Sequence, residues 1–125
     1  MTGQRILIVD DDKEDSEFIA SVCRGAGFGV TITHSAEIGL TELEQEGYGL
    51  VITGIFMEGM GGMEMIQTVI AKMPTVFILA ISAGFGEMTS AKTLKAATKI
   101  GAHAVLPKPV SAEDIQDWLG KFFGI

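Results

Sequence analysis

Four polar residues of the sequence are of types that carry out metal and phosphate chemistry. Asp10 and Asp11 are adjacent at the end of an aliphatic run, Ser82 ends a second apolar run, and Lys108 lies between two prolines. Neighbouring carboxylates are oxygen ligands of the kind that Mg²⁺ binds, and a hydroxyl or an ammonium group can donate a hydrogen bond to a phosphoryl oxygen. Each also has an ordinary structural explanation, because acids cap helices, serines bond to loop backbone and lysines stand in solvent.

Short apolar segments that alternate with helical segments must position these residues. Arg5–Val9 is aliphatic almost throughout, which is typical of a strand buried on both faces of a parallel sheet. Further strands are predicted at 30–33, 50–53, 75–81 and about 103–106. Because 75–81 is the most apolar of them, we expect it at the centre of the sheet.

The predicted helices begin at residues suited to N-capping and end near glycine or proline. The capping residues are Asp12, Ser35 and Ser111, and the fourth helix is predicted from about 89 to 100. Each stripe of apolar residues is expected to face the sheet. The stripes consist of Phe18, Ile19, Val22 and Cys23; Ile38, Leu40 and Leu43; Met63, Ile66, Val69 and Ile70; and Ile115, Trp118, Leu119 and Phe122.

Alternating strands and helices with short connections require a parallel sheet with right-handed crossovers and helices on both faces. The sequence therefore predicts one doubly wound α/β domain over residues 1–125, with five strands in the order 2-1-3-4-5 and five helices. Ligands of such folds bind at the carboxyl ends of the strands, where the winding reverses. That edge would carry Asp10, Asp11, Gly54, Ser82 and Lys108. We expect the functional site there.

The strand ends together form a specific pattern. The first strand ends in Asp-Asp-Asp, the third is followed by Met-x-Gly-Met-x-Gly, the fourth ends in Ser-Ala, and Lys-Pro follows the fifth. This pattern resembles the receiver domains of bacterial response regulators over essentially the whole chain, in the layout of the chemotaxis-type single-domain regulators. The resemblance implies a flavodoxin-like (CheY-like) fold and a role in two-component, or phosphorelay, signalling.

The resemblance also implies a role for each site residue. Asp10 and Asp11 would be the acid pair that binds Mg²⁺, together with the backbone carbonyl of Phe56. Ser82 would sense the phosphoryl group through its hydroxyl, and Lys108 would contact it through its ammonium group. The phosphate-accepting position falls on Gly54, and Val105 occupies the place where many relatives have a switch aromatic.

Gly54 is the most consequential departure from the family. The family usually has aspartate at positions 49, 54 and 61 and proline at 58, whereas this chain has glycine at the first three and Glu58 at the last. Glycine offers no carboxylate to attack phosphate or to bind a metal, so phosphotransfer there is excluded and Mg²⁺ binding should be weakened. Thr53 should point to the opposite face of the strand, and Asp10 and Asp11 are only marginally better acceptors.

Composition limits the partners and the compartment. A net charge of −7 disfavours nucleic acids and anionic membranes. The single cysteine, Cys23, is expected to be a buried structural thiol, and no apolar leader or membrane span is apparent, so we expect a cytoplasmic protein. Protein partners remain: a histidine kinase, a phosphotransfer protein or a target protein, bound by a monomer or weak dimer.

The leading hypothesis is a stand-alone receiver module, not an enzyme, that signals by protein contact through the fourth helix, fifth strand and fifth helix. Without phosphate, Lys108 is expected to pair with Asp10 or Asp11. The methionines around the third loop (Met57, Met60, Met63 and Met65) favour core packing over a binding surface. Two alternatives stay open: a conventional phosphorelay receiver whose acceptor was lost by drift or engineering, and a small Mg²⁺-dependent phosphohydrolase at the acid pair.

Overall fold

The computed structural model describes residues 4–57, 59–85 and 88–125, so Glu58 lies outside the described residues. Within them, strands and helices alternate as the sequence predicts. The strands of the main sheet are β1 (Arg5–Val9), β2 (Gly29–Thr33), β3 (Leu50–Gly54), β4 (Phe77–Ser82) and β5 (Ala104–Pro107). The helices are α1 (Lys13–Gly25), α2 (Ala36–Gln45), α3 (Gly62–Lys72), α4 (Ser90–Ile100) and α5 (Ala112–Phe123).

The main sheet is parallel, with the strand order β2-β1-β3-β4-β5 that the sequence predicts. The central strand is β3 and not the more apolar β4, which lies beside it. A short antiparallel pair, Gly84–Phe85 with Met88–Thr89, precedes α4 and was not predicted. The winding reverses between β1 and β3, so the carboxyl ends of these two strands border the expected ligand site.

The core lies in two layers because successive side chains of each strand point to opposite faces of the sheet. Leu7 and Val9 of β1 face the layer that α2, α3 and α4 cover. Ile6 and Ile8 face the layer that α1 and α5 cover. β1, β3 and β4 are therefore buried on both faces over almost their whole length, which explains why they read as nearly continuous apolar runs.

Side-chain caps start three of the helices where the sequence predicts. Asp12, Ser35 and Ser111 each accept a hydrogen bond from the backbone amide three residues further on. Two apolar-face predictions are wrong, since Phe18 is 43% and Ile38 is 61% exposed. Phe18 lies one residue, about 100° of helix rotation, from its buried neighbour Ile19, and Ile38 lies about 200° from Leu40.

Cys23 is completely buried in the layer beneath α1. Burial raises the pKa of its thiol to about 12, and the nearby Arg24 opposes this only in part. Since the thiolate is the reactive form, the structure supports the prediction of a structural thiol. In the described part of the chain, no helix has the length and apolar character needed to cross a bilayer.

Candidate functional site

The carboxyl edge of the sheet brings together four of the residues singled out from the sequence. The Ile55 amide donates to Ile81 O at 3.1 Å, and the Lys108 amide donates to Ser82 O at 3.0 Å, so the segments leaving β3, β4 and β5 stay in register past the strand ends. They enclose a small cavity of about 110 Å³, lined by residues 54–56, residues 81–83 and Lys108. Asp10, the residue after β1, does not line the cavity, but its carboxylate lies 3.0 Å from the ammonium nitrogen of Lys108, which does.

Asp10 is held by its own backbone and by one carboxylate oxygen. Its amide donates to Thr33 O at 3.1 Å, and its carbonyl accepts a hydrogen bond from His34 Nδ1 at 2.9 Å. Its Oδ1 accepts from the Asp12 amide at 3.0 Å. The side chain is only 2% exposed, whereas Asp11 is exposed. The two acids therefore differ: Asp10 faces inward and Asp11 stands in solvent.

Lys108 pairs with Asp10, as expected from the sequence. Its ammonium nitrogen lies 3.0 Å from Asp10 Oδ2 and 2.8 Å from Asp15 Oδ2. Among the described residues, none donates a hydrogen bond of ordinary angular geometry to Asp10 Oδ2, which is buried. The cost of burying this charged oxygen is offset by its attraction to the Lys108 ammonium group, 3.0 Å away. We therefore regard the contact as an ion pair. The peptide bond between Lys108 and Pro109 is cis.

The pKa of Lys108 reflects opposing effects. Burial, the largest single effect, would lower the pKa of this ammonium group, but the close contacts with Asp15 and Asp10 and the charges of both carboxylates outweigh it. The pKa is raised above its ordinary value in consequence. Lys108 is therefore fully charged at neutral pH.

Asp15 also contacts Lys108, but it was not singled out from the sequence as a site residue. It lies in the first turn of α1, where Asp12 Oδ1 accepts a hydrogen bond from its amide at 2.9 Å, and its side chain is 41% exposed. Acidic residues are common in first turns because they favour the positive end of the helix dipole. The sequence offers no signal that separates Asp15 from its neighbour Glu14, since only the fold decides which of them faces Lys108.

Gly54 lies directly beside Asp10. A Cβ atom at this position would lie 3.4 Å from Asp10 Cγ and 3.5 to 3.6 Å from the two carboxylate oxygens, which are ordinary contact distances. A side chain could therefore begin here, next to Asp10 and at the cavity that Gly54 lines, without displacing its neighbours. With glycine, position 54 contributes only backbone atoms to the lining of the cavity.

The residues present do not fit the metal site of the family. Among the described residues, no three His, Cys, Asp or Glu side chains lie close enough to hold one metal ion. Asp10 is already paired with the Lys108 ammonium group at 3.0 Å, and position 54 offers no carboxylate. A divalent cation would have to displace the ammonium group and rely on Asp10, Asp11 and backbone oxygen.

The other predicted site positions are divided between this centre and the opposite face of the sheet. Ser82 is buried at the end of β4, and the Phe56 side chain is 39% exposed at the rim of the cavity. Thr53 points away from Asp10, as predicted, and its hydroxyl donates to Gly54 O at 2.9 Å on the α3 side. Val105 is partly buried in β5 and packs against the layer beneath α2, α3 and α4.

The loop after β3 is joined to α2 and the core. Glu37 Oε2 accepts a hydrogen bond from the Met60 amide at 3.3 Å. Met65 is completely buried, and Met57, Met60 and Met63 pack against the same apolar layer. The prediction that the methionines serve core packing is confirmed for these four residues.

A larger open cavity, of about 490 Å³, lies at the opposite edge of the sheet. It is lined by residues 46–49 and 72–76 together with Leu43, and it includes Gly49, one of the positions where the family usually has aspartate. None of the predicted site residues reaches it. The chemistry expected from the sequence is therefore concentrated at the smaller cavity.

Comparisons with known proteins agree with this geometry. The family model described as the response regulator receiver domain matches residues 6–119. A response regulator receiver protein of Anaeromyxobacter sp. (strain Fw109-5) is 31% identical over 114 residues, which are 91% of this chain and 46% of that protein. The transcriptional regulatory protein FixJ of Bradyrhizobium diazoefficiens is 31% identical over 108 residues, 86% of this chain and 51% of FixJ. The chain thus spans about half the length of these two relatives.

Solved structures match the fold. The chemotaxis response regulator CheY4 of Vibrio cholerae superposes with a TM-score of 0.83 at 21% identity, covering 94% of this chain and 97% of that one. A CheY-like receiver domain protein of Methanospirillum hungatei gives a TM-score of 0.85 at 24% identity, covering 97% and 94%. With the family match, the strand order and the site geometry, the chain belongs to the response regulator receiver domain family of two-component systems. Receiver domains are generally signalling modules.

Proposed function

We propose that residues 1–125 form one receiver domain that signals by protein–protein contact and is not phosphorylated at the usual acceptor position. The observation that carries this proposal is the setting of Gly54. An acceptor must present a nucleophilic carboxylate beside the acid pair, and position 54 has no side chain. The neighbouring Asp10 is buried and engaged with Lys108 at 3.0 Å, so it is a poor substitute.

Receiver domains typically bind Mg²⁺ at the acceptor site, and we propose that this chain binds it only weakly. Loss of the carboxylate at position 54 removes one ligand, and the Lys108 ammonium group neutralises another. Mg²⁺ is usually bound by one or two carboxylates. To bind Asp10 it would have to displace the Lys108 ammonium group. The same scarcity of ligands among the described residues argues against a Mg²⁺-dependent phosphohydrolase.

We propose that this chain binds protein partners of the kinds that receiver domains have: a histidine kinase, a phosphotransfer protein or a target protein. We propose that it does so in the cytoplasm. The candidate surface is formed by α4, β5 and α5. On α5 the Lys121 ammonium group lies 4.4 Å from the centre of the ring of Trp118, a partly buried residue, in a cation–π contact. The net charge of −7 disfavours nucleic acid and anionic membranes as partners.

Binding of trifluoroberyllate, a phosphoryl mimic that bonds to a carboxylate oxygen, tests this proposal by NMR. With Mg²⁺ present, we expect the amide resonances of the native chain to stay in place. Gly54→Asp should show shifts at residues around the small cavity, because the new carboxylate completes the site. Gly61→Asp is the matched control: it restores another usual aspartate of the family, and its spectrum should not respond. Cavity-centred shifts in the native chain would contradict the proposal.

A further inference from the structure

Lys108 is shared by two carboxylates that differ in setting. Asp10 is 2% exposed and lies at the end of β1, whereas Asp15 is 41% exposed and lies in the first turn of α1. The distance to Asp15 is the shorter of the two, 2.8 Å against 3.0 Å. Lys108 therefore has a second anionic partner even though Gly54 provides none.

The contact between Lys108 and Asp15 connects two separate parts of the fold, because the backbone of Lys108 is itself attached to the sheet. Its amide donates to Ser82 O at 3.0 Å, which fixes its backbone to the end of β4. Its side chain lines the small cavity beside Gly54. The ion pair between the Lys108 ammonium group and Asp15 consequently joins the start of α1 to the segment between β5 and α5. This contact lies next to Gly54, the position of the acceptor in the family.

We propose that Asp15 takes the place of the missing acceptor carboxylate as a counter-charge for Lys108, and so holds the ammonium group at the cavity and fixes the start of α1 against the β5–α5 segment. Asp15 is in this sense a positioning residue. The inference rests on the proposed function, in which position 54 works without a carboxylate. It gives a second counter-charge to an ammonium group that is only 20% exposed and has no carboxylate beside it at position 54.

A simpler role for Asp15 is to favour the positive end of the α1 dipole. Glu14 shares that role, because it stands in the same first turn and is exposed. The two roles are separable, since only the first requires energetic coupling to Lys108. Glu14 is therefore the matched control for Asp15.

A double-mutant cycle measures this coupling. Asp15→Asn, Lys108→Met and the double variant are unfolded with urea beside the native chain. We expect the equilibrium constants to show coupling of about threefold or more, as for a partly exposed ion pair of good geometry. The cycle of Glu14→Gln with Lys108→Met should show none. Equal coupling in both cycles, or none in either, would overturn the inference.

The same cycle in the Gly54→Asp background tests the substitution itself. A restored carboxylate gives Lys108 another partner. The coupling free energy between Lys108 and Asp15, which is the logarithm of the measured fold-change, should therefore fall by at least half. Unchanged coupling would show an ordinary ion pair that does not replace the acceptor. Unchanged coupling would leave the proposed function intact. The proposed function would fail only if the native chain were phosphorylated or bound trifluoroberyllate.

Discussion

Gly62→Ala is expected to lower the free energy of unfolding by about 3 kcal/mol, at the upper end of the usual range for overpacking. Gly62 begins α3 and donates its amide hydrogen to Ile55 O at 2.9 Å. A Cβ atom here would collide with the carbonyl oxygen of Gly54 and lie 2.8 Å from Ile55 Cα. These are backbone atoms of the central strand and its continuation, which cannot rotate aside as a flexible side chain can.

Gly61→Ala is the control for this prediction, and urea denaturation is the measurement. A Cβ atom at Gly61 would lie 3.7 Å from Ile55 O, an ordinary contact. Since alanine is a poorer N-cap than glycine, we expect a loss of about 0.5 to 1 kcal/mol there. If Gly62→Ala proved no more destabilising than Gly61→Ala, α3 would not approach β3 as closely as the structure shows.

Lys108→Met is expected to lower the free energy of unfolding by about 2 kcal/mol at neutral pH. Methionine keeps most of the side-chain volume but leaves Asp10 buried without its compensating charge. Removing one member of a buried pair typically costs about 3 to 5 kcal/mol, and the partial exposure of Lys108 reduces the effect. Lys95→Met, at an exposed position on α4, should change stability by less than about 0.5 kcal/mol. Equal effects of the two variants would contradict the ion pair.

The pH dependence of this difference has a defined sign. Because the folded-state pKa of Lys108 is raised above its ordinary value of 10.5, the stabilisation is fully present below that pH and is lost as the pH rises through the folded-state pKa. The stability difference between the native chain and Lys108→Met should therefore shrink above pH 10.5. Tyr48, whose pKa is raised by burial and by its hydrogen bond to Glu42, destabilises both proteins over the same range and cancels in the difference.

The fold could be predicted from the sequence because its signals are local and agree with one another. The aliphatic run of β1 has the same bounds in the structure, and the side chains of Ser35 and Ser111 cap the helices where expected. Short connections then leave few possible strand orders. The helix faces were predicted less well: Phe18 lies beside its buried stripe and Ile38 lies on the opposite side of α2, because apolar character alone does not decide burial.

The candidate site was predictable only in part. Asp10, Gly54, Ser82 and Lys108 meet because the ends of parallel strands must share one edge of the sheet. The partner of Lys108 was expected among Asp10 and Asp11, and the structure adds Asp15. Asp15 comes from a helix, and its reach depends on how α1 and α5 pack on the same face of the sheet, which is a tertiary property that residue spacing does not contain.

Intact-mass analysis after incubation with a small-molecule phosphodonor and Mg²⁺ tests the central claim most directly. The native chain and Gly54→Asp are treated in parallel, and the mass of each is compared with that of an untreated sample. The account predicts that the native chain keeps its mass, whereas Gly54→Asp gains one phosphoryl group. If the native chain gained a phosphoryl group under conditions that modify Gly54→Asp, another residue would be the acceptor, and phosphate-independent signalling through this site would be contradicted.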